Sequence, residues 1–195
     1  MKRFLCTSLV ALVAVAWSLP ALAQNGKITG KVEATPPKYL EETVVYLKEV
    51  KGTPAPKTAT MDQKGMKFIP HVLAITAGDT VKFLNDDAVA HNVYSSDAEG
   101  FNLGSFPKGE SRTNTFKKAG TYTILCSIHP EMLAFIFVGQ NPYSAVVGKD
   151  GTFEIANVPP GTYQLAIWNS KLKAPEQSVT VAAAKPAQAT FSLKR

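Results

Sequence analysis

Three side chains that bind soft metal ions lie at equal spacing in the segment CSIHPEM, residues 126–132. Cys126, His129 and Met132 are each three residues apart. A second imidazole, His91 in the segment AHNV, could reach the same place from a different strand. A thiolate, two imidazoles and a thioether suit copper in both of its oxidation states. These residue types indicate metal chemistry, and copper is the metal that they favour.

The N-terminal segment predicts that the mature protein has a single thiol. Two basic residues precede an apolar run, and a small-x-small cleavage site, ALA, follows at residues 21–23. This pattern is typical of a signal peptide, residues 1–23, and predicts an exported protein with no membrane span in its mature form. Cleavage would remove Cys6 and leave Cys126 without a disulfide partner in its own chain. A retained N-terminal anchor stays open as the alternative.

The charge of the chain gives no support to nucleic-acid binding. The formal net charge is +6, and it falls to +4 on cleavage because two basic residues and no acid are removed. Lys and Arg are spread along the chain rather than clustered, so we expect no nucleic-acid partner. A mild preference for acidic partners is all that this charge predicts.

Short runs of β-branched and aromatic residues, separated by Gly, Pro, Asn and Asp, predict an all-β protein of the sandwich or barrel kind. Eight runs are predicted as strands: KITGKVEA, TVVYLKEV, DTVKFLN, TYTILCSI, LAFIFVG, GTFEIANV, TYQLAIWN and QSVTVAAA. Tyr122, Ile124 and Cys126 alternate, so they share one face of their strand. The segment CSIHPEM is then the loop to the next strand, and its side chains should converge at one end of the sheet.

Two stretches divide the chain. Residues 51–60 are rich in Pro, Thr and Lys, and residues 139–144 follow directly on a predicted strand. Both are predicted as linkers. The segment between them contains every histidine and the single cysteine of the mature chain. The chemistry is therefore expected in the middle of the chain.

The middle segment, residues 58–138, resembles the cupredoxins, the plastocyanin and azurin family of blue copper proteins. The matching stretches are MKFIPHVLAITAGDTVKFLNDD, AHNV and AGTYTILCSIHPEM, and the ligand spacing is of the amicyanin type. The resemblance implies a Greek-key β-fold with one type 1 copper. It implies that the ligands are His91, Cys126, His129 and Met132, and that Asn92 ties the two ligand loops together. Ala90 departs from the pattern, because amicyanins and plastocyanins have proline there.

The same residues allow other interpretations than a copper site. Cys126 could be an inert buried thiol, and Met132 could serve only core packing. A Cys-His nucleophile finds no oxyanion site or substrate cleft in the sequence, and zinc does not favour a methionine ligand. His71 lies outside the ligand pattern and is expected to be an ordinary loop residue.

The outer segments resemble a carboxypeptidase regulatory-like domain, which is a transthyretin-like β-sandwich. The stretch that carries this resemblance is DGTFEIANVPPGTYQL, residues 150–165. It implies a discontinuous domain, residues 24–54 and 139–195, that the cupredoxin segment interrupts. Such motifs indicate a fold and say nothing of catalysis.

The sequence thus predicts an exported copper protein that carries single electrons between redox partners and has no enzyme activity of its own. By analogy with the amicyanin type, the partner would be a c-type cytochrome or a dehydrogenase, and the location the periplasm. A periplasmic copper carrier or chaperone, which delivers metal rather than electrons, is the alternative. A structural or adhesion module with a vestigial site is the third hypothesis.

Overall fold

The chain folds almost entirely into β-strands, in agreement with its β-branched and aromatic runs. The computed structural model describes residues 24–50, 52, 54–183 and 185–195. The predicted signal peptide, residues 1–23, lies outside the described residues. A short 3₁₀ helix, Pro37–Glu42, is the one helix in the described ranges. These ranges contain no candidate for a membrane-spanning helix.

Sixteen strands are found in the described part of the chain. They are β1 (Gly26–Ala34), β2 (Thr43–Leu47), β3 (Thr58–Gln63), β4 (Phe68–Ile69), β5 (Val72–Thr76), β6 (Thr80–Leu84), β7 (His91–Ser95), β8 (Phe101–Phe106), β9 (Ser111–Thr115), β10 (Gly120–Leu125), β11 (Leu133–Gly139), β12 (Ser144–Val146), β13 (Thr152–Val158), β14 (Gly161–Asn169), β15 (Gln177–Val181) and β16 (Ala187–Leu193).

The strands at the two ends of the chain form two sheets together. The first sheet has the order β13-β1-β16 and the second the order β12-β2-β14-β15. β1 pairs antiparallel with β13 and parallel with β16, and β2 pairs antiparallel with β12 and β14. Their inner faces share one apolar core, which includes Ile28, Leu47, Ile155 and Leu165. The first two strands therefore depend on strands that follow residue 143, whereas the exact domain limits, 24–54 and 139–195, stay a prediction.

The middle of the chain forms two further sheets. One has the order β5-β11-β10-β7-β8, and the other has the order β4-β3-β6-β9. They enclose a second apolar core that includes Phe83, Tyr122, Ile124 and Ile136, all 0% exposed. Both predicted linkers are shorter than the sequence indicated, because β3 begins at Thr58 and β11 continues to Gly139.

A third, smaller apolar cluster joins the two units. Side chains alternate along β11, so Phe135 and Phe137 lie on the opposite face from the middle core. The ring centroid of Phe135 is 5.3 Å from that of Trp168 on β14. The ring centroid of Phe137 is 4.7 Å from that of Tyr46 on β2. The outer face of β11 thus packs on the outer faces of β2 and β14.

Candidate metal centre

The loop between β10 and β11 holds the thiol and one imidazole. β10 ends at Leu125 and β11 begins at Leu133, and the two strands pair antiparallel. Cys126 continues the buried face of β10 and is 3% exposed. The Met132 N–H donates a hydrogen bond of 3.0 Å to the His129 carbonyl oxygen, which closes the turn. The predicted position of this loop between neighbouring strands agrees with the structure.

His91 reaches the same end of the sheet from β7. β7 runs antiparallel to β10, with Leu125 opposite Tyr94. In an antiparallel pair the start of one strand lies beside the end of the other. His91 is the first residue of β7, so it lies beside the residue that follows β10, and its side chain is 0% exposed.

Three donor atoms converge at this place. His91 Nδ1 lies 2.9 Å from His129 Nδ1, and Cys126 Sγ lies 3.8 Å from the same His129 nitrogen. The ligand atoms of the three residues all lie within 4.8 Å of one another, so this group could hold a metal ion. Two imidazole nitrogens and one sulfur are a donor set that fits copper.

Asn92 connects the two segments that carry these donors. Its backbone N–H donates to Cys126 Sγ at 3.4 Å, and its side-chain oxygen accepts a 3.2 Å hydrogen bond from the Ser127 N–H. Its side-chain amide also donates to Asn102 Oδ1 at 2.8 Å. Asn92 lies where a residue that ties the two loops would be needed, and its role stays a prediction.

Met132 lies in the same buried cluster as Cys126 and is 1% exposed. Burial at this place is compatible with a fourth ligand and with simple packing alike. Its role as the axial ligand therefore stays a prediction.

Asp87 contacts His91, and the sequence pattern does not predict this contact. Its Oδ2 atom lies 3.0 Å from His91 Nε2 and accepts a 2.9 Å hydrogen bond from the Met66 N–H. These hydrogen bonds, that of Met66 first and that of His91 second, lower the pKa of the Asp87 carboxyl to about 2. The sequence does show an acidic residue four positions before the predicted ligand His91. Because a loop has no fixed periodicity, this spacing alone does not predict a contact between the two side chains.

His71 lies apart from the three donors. It follows β4, is exposed, and its Nδ1 atom lies 3.0 Å from the Leu133 carbonyl oxygen. Its Nε2 atom lies 3.5 Å from a carboxylate oxygen of Glu42, in the 3₁₀ helix. The group of metal-binding atoms does not include it.

Exposed apolar side chains border the candidate site. Ile128, beside His129, is 49% exposed, and Val89, two residues before His91, is 47% exposed. Leu133, which follows Met132, is 37% exposed. We call these three residues the apolar rim. His129 itself is half-buried, so its ring is the donor nearest to solvent.

The middle segment is similar to a copper-binding family. Residues 55–139 match the family model "Copper binding proteins, plastocyanin/azurin family". The segment is therefore similar to the cupredoxins, which are copper-binding proteins. Residues 139–189 match a different model, "Polysaccharide lyase family 4, domain II". A second domain is thus present, but its carboxypeptidase regulatory-like assignment is not confirmed.

Individual relatives match parts of the chain. Amicyanin from Paracoccus versutus is 30% identical over 77 residues, which are 37% of this chain and 58% of that protein. A purple cupredoxin from Nitrosopumilus maritimus is 28% identical, with a TM-score of 0.39, 42% of this chain covered and 99% of the other. A copper-containing nitrite reductase from Thermus scotoductus is 32% identical, with a TM-score of 0.41, 49% of this chain covered and 25% of the other.

Proposed function

We propose that this protein is an exported type 1 copper protein that carries single electrons between redox partners. The observation that carries the proposal is the convergence of one thiol and two imidazoles within 4.8 Å at the end of one sheet. A trigonal set of Cys and two His with a weak axial Met is an electron-transfer copper site. The match of residues 55–139 to the plastocyanin and azurin family model supports the same function.

Each donor has a distinct role in this proposal. His91 and His129 would bind copper through Nδ1, the nitrogens that face each other at 2.9 Å. Cys126 would bind as the thiolate, and Met132 would be the axial ligand. Copper supplies the chemistry of the site by changing between its two oxidation states with the gain or loss of one electron. The chain holds its donors by buried strand ends and by Asn92, so little rearrangement should accompany that change.

The apolar rim supports transient docking of a redox partner. Ile128 precedes His129 in the loop, and Leu133 is the residue after the loop. An electron leaving by the His129 ring would therefore cross an apolar contact. Apolar surface without fixed ion pairs allows close but short-lived complexes. By analogy with the amicyanin match, the partner would be a c-type cytochrome or a dehydrogenase. The predicted signal peptide would export this protein, and a partner that meets it would share its compartment, the periplasm.

Electron exchange with such a cytochrome tests the proposal. The copper-loaded protein should be reduced and reoxidised repeatedly by the cytochrome, in stopped-flow measurements, while a copper chelator in solution takes up no metal. Release of copper to the chelator with no electron exchange would instead identify the protein as a copper carrier.

The route of the electron is tested by Ile128→Lys. The charge should weaken the apolar contact and slow electron exchange with the cytochrome, while the visible spectrum stays nearly unchanged. Val146→Lys is the matched control, because Val146 is 37% exposed on β12 in the other sheet system. Equal rates in the two variants would argue for a different exit.

A further inference from the structure

The position of Asp87 determines which nitrogen of His91 can face a metal ion. Asp87 Oδ2 lies 3.0 Å from His91 Nε2, on the side of the ring away from His129. A carboxylate only accepts hydrogen bonds, so the proton of the neutral ring belongs on Nε2. Nδ1 then keeps its lone pair toward His129 and Cys126. The carboxylate thus selects the tautomer that can bind a metal ion through Nδ1.

The same arrangement accounts for the short contact between the two imidazoles. His91 Nδ1 has no proton in this tautomer, so it accepts a hydrogen bond from His129 Nδ1–H across 2.9 Å. A chain of two hydrogen bonds therefore runs from His129 through His91 to Asp87. If a metal ion were bound by both Nδ1 atoms, the His129 proton would move to Nε2, so that the ring stays neutral, and the Cys126 thiol would lose its proton.

Asp87 is itself held on two sides. The Met66 N–H donates to its Oδ2 atom at 2.9 Å, and its own N–H donates to Asn85 Oδ1 at 2.9 Å. Asn85 is 0% exposed, and its side-chain amide donates to the carbonyl oxygens of Val89 and Phe106. The Met66 N–H therefore holds the carboxylate from the side of the turn before β4, and the buried Asn85 amide holds the backbone of Asp87.

We infer that Asp87 is a positioning residue for the copper site, which orients the His91 ring and adds negative charge that favours copper(II) over copper(I). The inference rests on the proposed function. A carboxylate behind a ligand imidazole raises the basicity of the ligand, and its loss typically weakens metal binding about 10- to 100-fold. Copper(II), with the larger charge, should lose more affinity than copper(I).

Asp87→Asn tests this role in the full-length, copper-loaded protein. Competition with chelators should show copper(II) binding weakened at least tenfold, and copper(I) binding weakened less. The reduction potential should then rise, by about 59 mV for each tenfold change in the ratio of the two affinities. Asp87→Glu should bring the potential back toward that of the wild type, because it restores the carboxylate.

The matched control is Asp86→Asn, which removes the same charge one residue away. Asp86 is exposed, and within the described residues its carboxylate makes no hydrogen bond to His91. The reduction potential of the Asp86→Asn variant should stay close to that of the wild type. Equal shifts in the Asp86 and Asp87 variants would overturn the inference, since general charge would then explain both.

The metal-free protein separates this inference from the proposed function. Nitrogen-15 NMR should find His91 protonated on Nε2 in the wild type, with a larger share of the other tautomer in Asp87→Asn. Protonation of His91 on Nδ1 in the wild type would overturn the positioning role. A wild type that binds no copper but has His91 protonated on Nε2 would contradict the proposed copper function. The hydrogen bond between Asp87 and His91 would still be established.

Discussion

Met132 is the predicted ligand whose role is not decided by its position, because a buried methionine can bind copper or simply pack in the core. It lies 1% exposed in the same core as Cys126. A thioether is a weak ligand that favours copper(I), whereas an amide oxygen favours copper(II). The identity of this one side chain should therefore be visible in the reduction potential.

Met132→Gln should retain copper and lower the reduction potential. A tenfold change in the relative affinity for the two oxidation states would correspond to a shift of about 59 mV, measurable by voltammetry. Met132→Leu is the control, because it keeps an apolar side chain of similar volume and offers no donor atom. A potential in Met132→Leu equal to that of the wild type would mean that Met132 serves packing alone.

At the scale of elements, the site depends on two segments that must stay in register. The start of β7 supplies His91, and the loop after β10 supplies Cys126 and His129. A single backbone bridge, Leu125 opposite Tyr94, pairs the two strands. Asn92 adds the hydrogen bonds to Ser127 N–H and Cys126 Sγ, so it carries much of the connection at this end.

Asn92→Ala should therefore loosen the site more than it disturbs the fold. Loss of the buried side-chain hydrogen bonds should reduce the free energy of unfolding by roughly 1–3 kcal/mol, as measured by denaturant unfolding of the metal-free protein. The copper charge-transfer band should also broaden. Asn114→Ala on β9 is the control, since no side-chain hydrogen bond of Asn114 is found in the described part of the chain. A loss no larger than that of the control would contradict the tie between the loops.

The sequence predicts the ligand loop well and some of the strands poorly. Alternation of Tyr122, Ile124 and Cys126 is a local signal, and the burial of all three follows it. β3 and β9 are rich in polar residues and have no clear alternation. They are strands because both pair with β6, which is a tertiary effect. Asp87 was missed for a related reason, because its contact with His91 depends on the path of an irregular loop.

At the scale of the whole molecule, the chain leaves the first unit and returns to it at one place. The Leu47 N–H at the end of β2 donates to the Tyr143 carbonyl oxygen at 2.9 Å. The Asn141 side-chain amide donates to the Leu47 carbonyl oxygen at 2.9 Å. The points at which the chain leaves and re-enters the first unit therefore lie close together, which is the arrangement that the predicted insertion needs.

Deletion of residues 56–140, with a short Gly-Ser bridge, should leave a folded sandwich that binds no copper. The deletion uncovers Tyr46 and Trp168, which contact Phe137 and Phe135 in the intact chain. Trp168 is the only tryptophan after residue 23, so its fluorescence should shift to longer wavelength while a cooperative unfolding transition persists. Loss of that transition would show that the sandwich needs the middle domain to fold.

The fragment 145–195, expressed alone, tests whether the later strands can fold without the first two. It lacks β1 and β2, each of which lies between two partner strands in its sheet. We expect it to be unfolded or aggregated by circular dichroism. A cooperative unfolding transition in this fragment would instead indicate two sequential domains.

The visible absorption spectrum of the copper(II)-loaded protein tests the central claim most directly. Charge transfer from the Cys126 thiolate to copper(II) should give an intense blue or green colour, which Cys126→Ser should abolish. A copper-loaded wild type without colour would contradict the type 1 copper site.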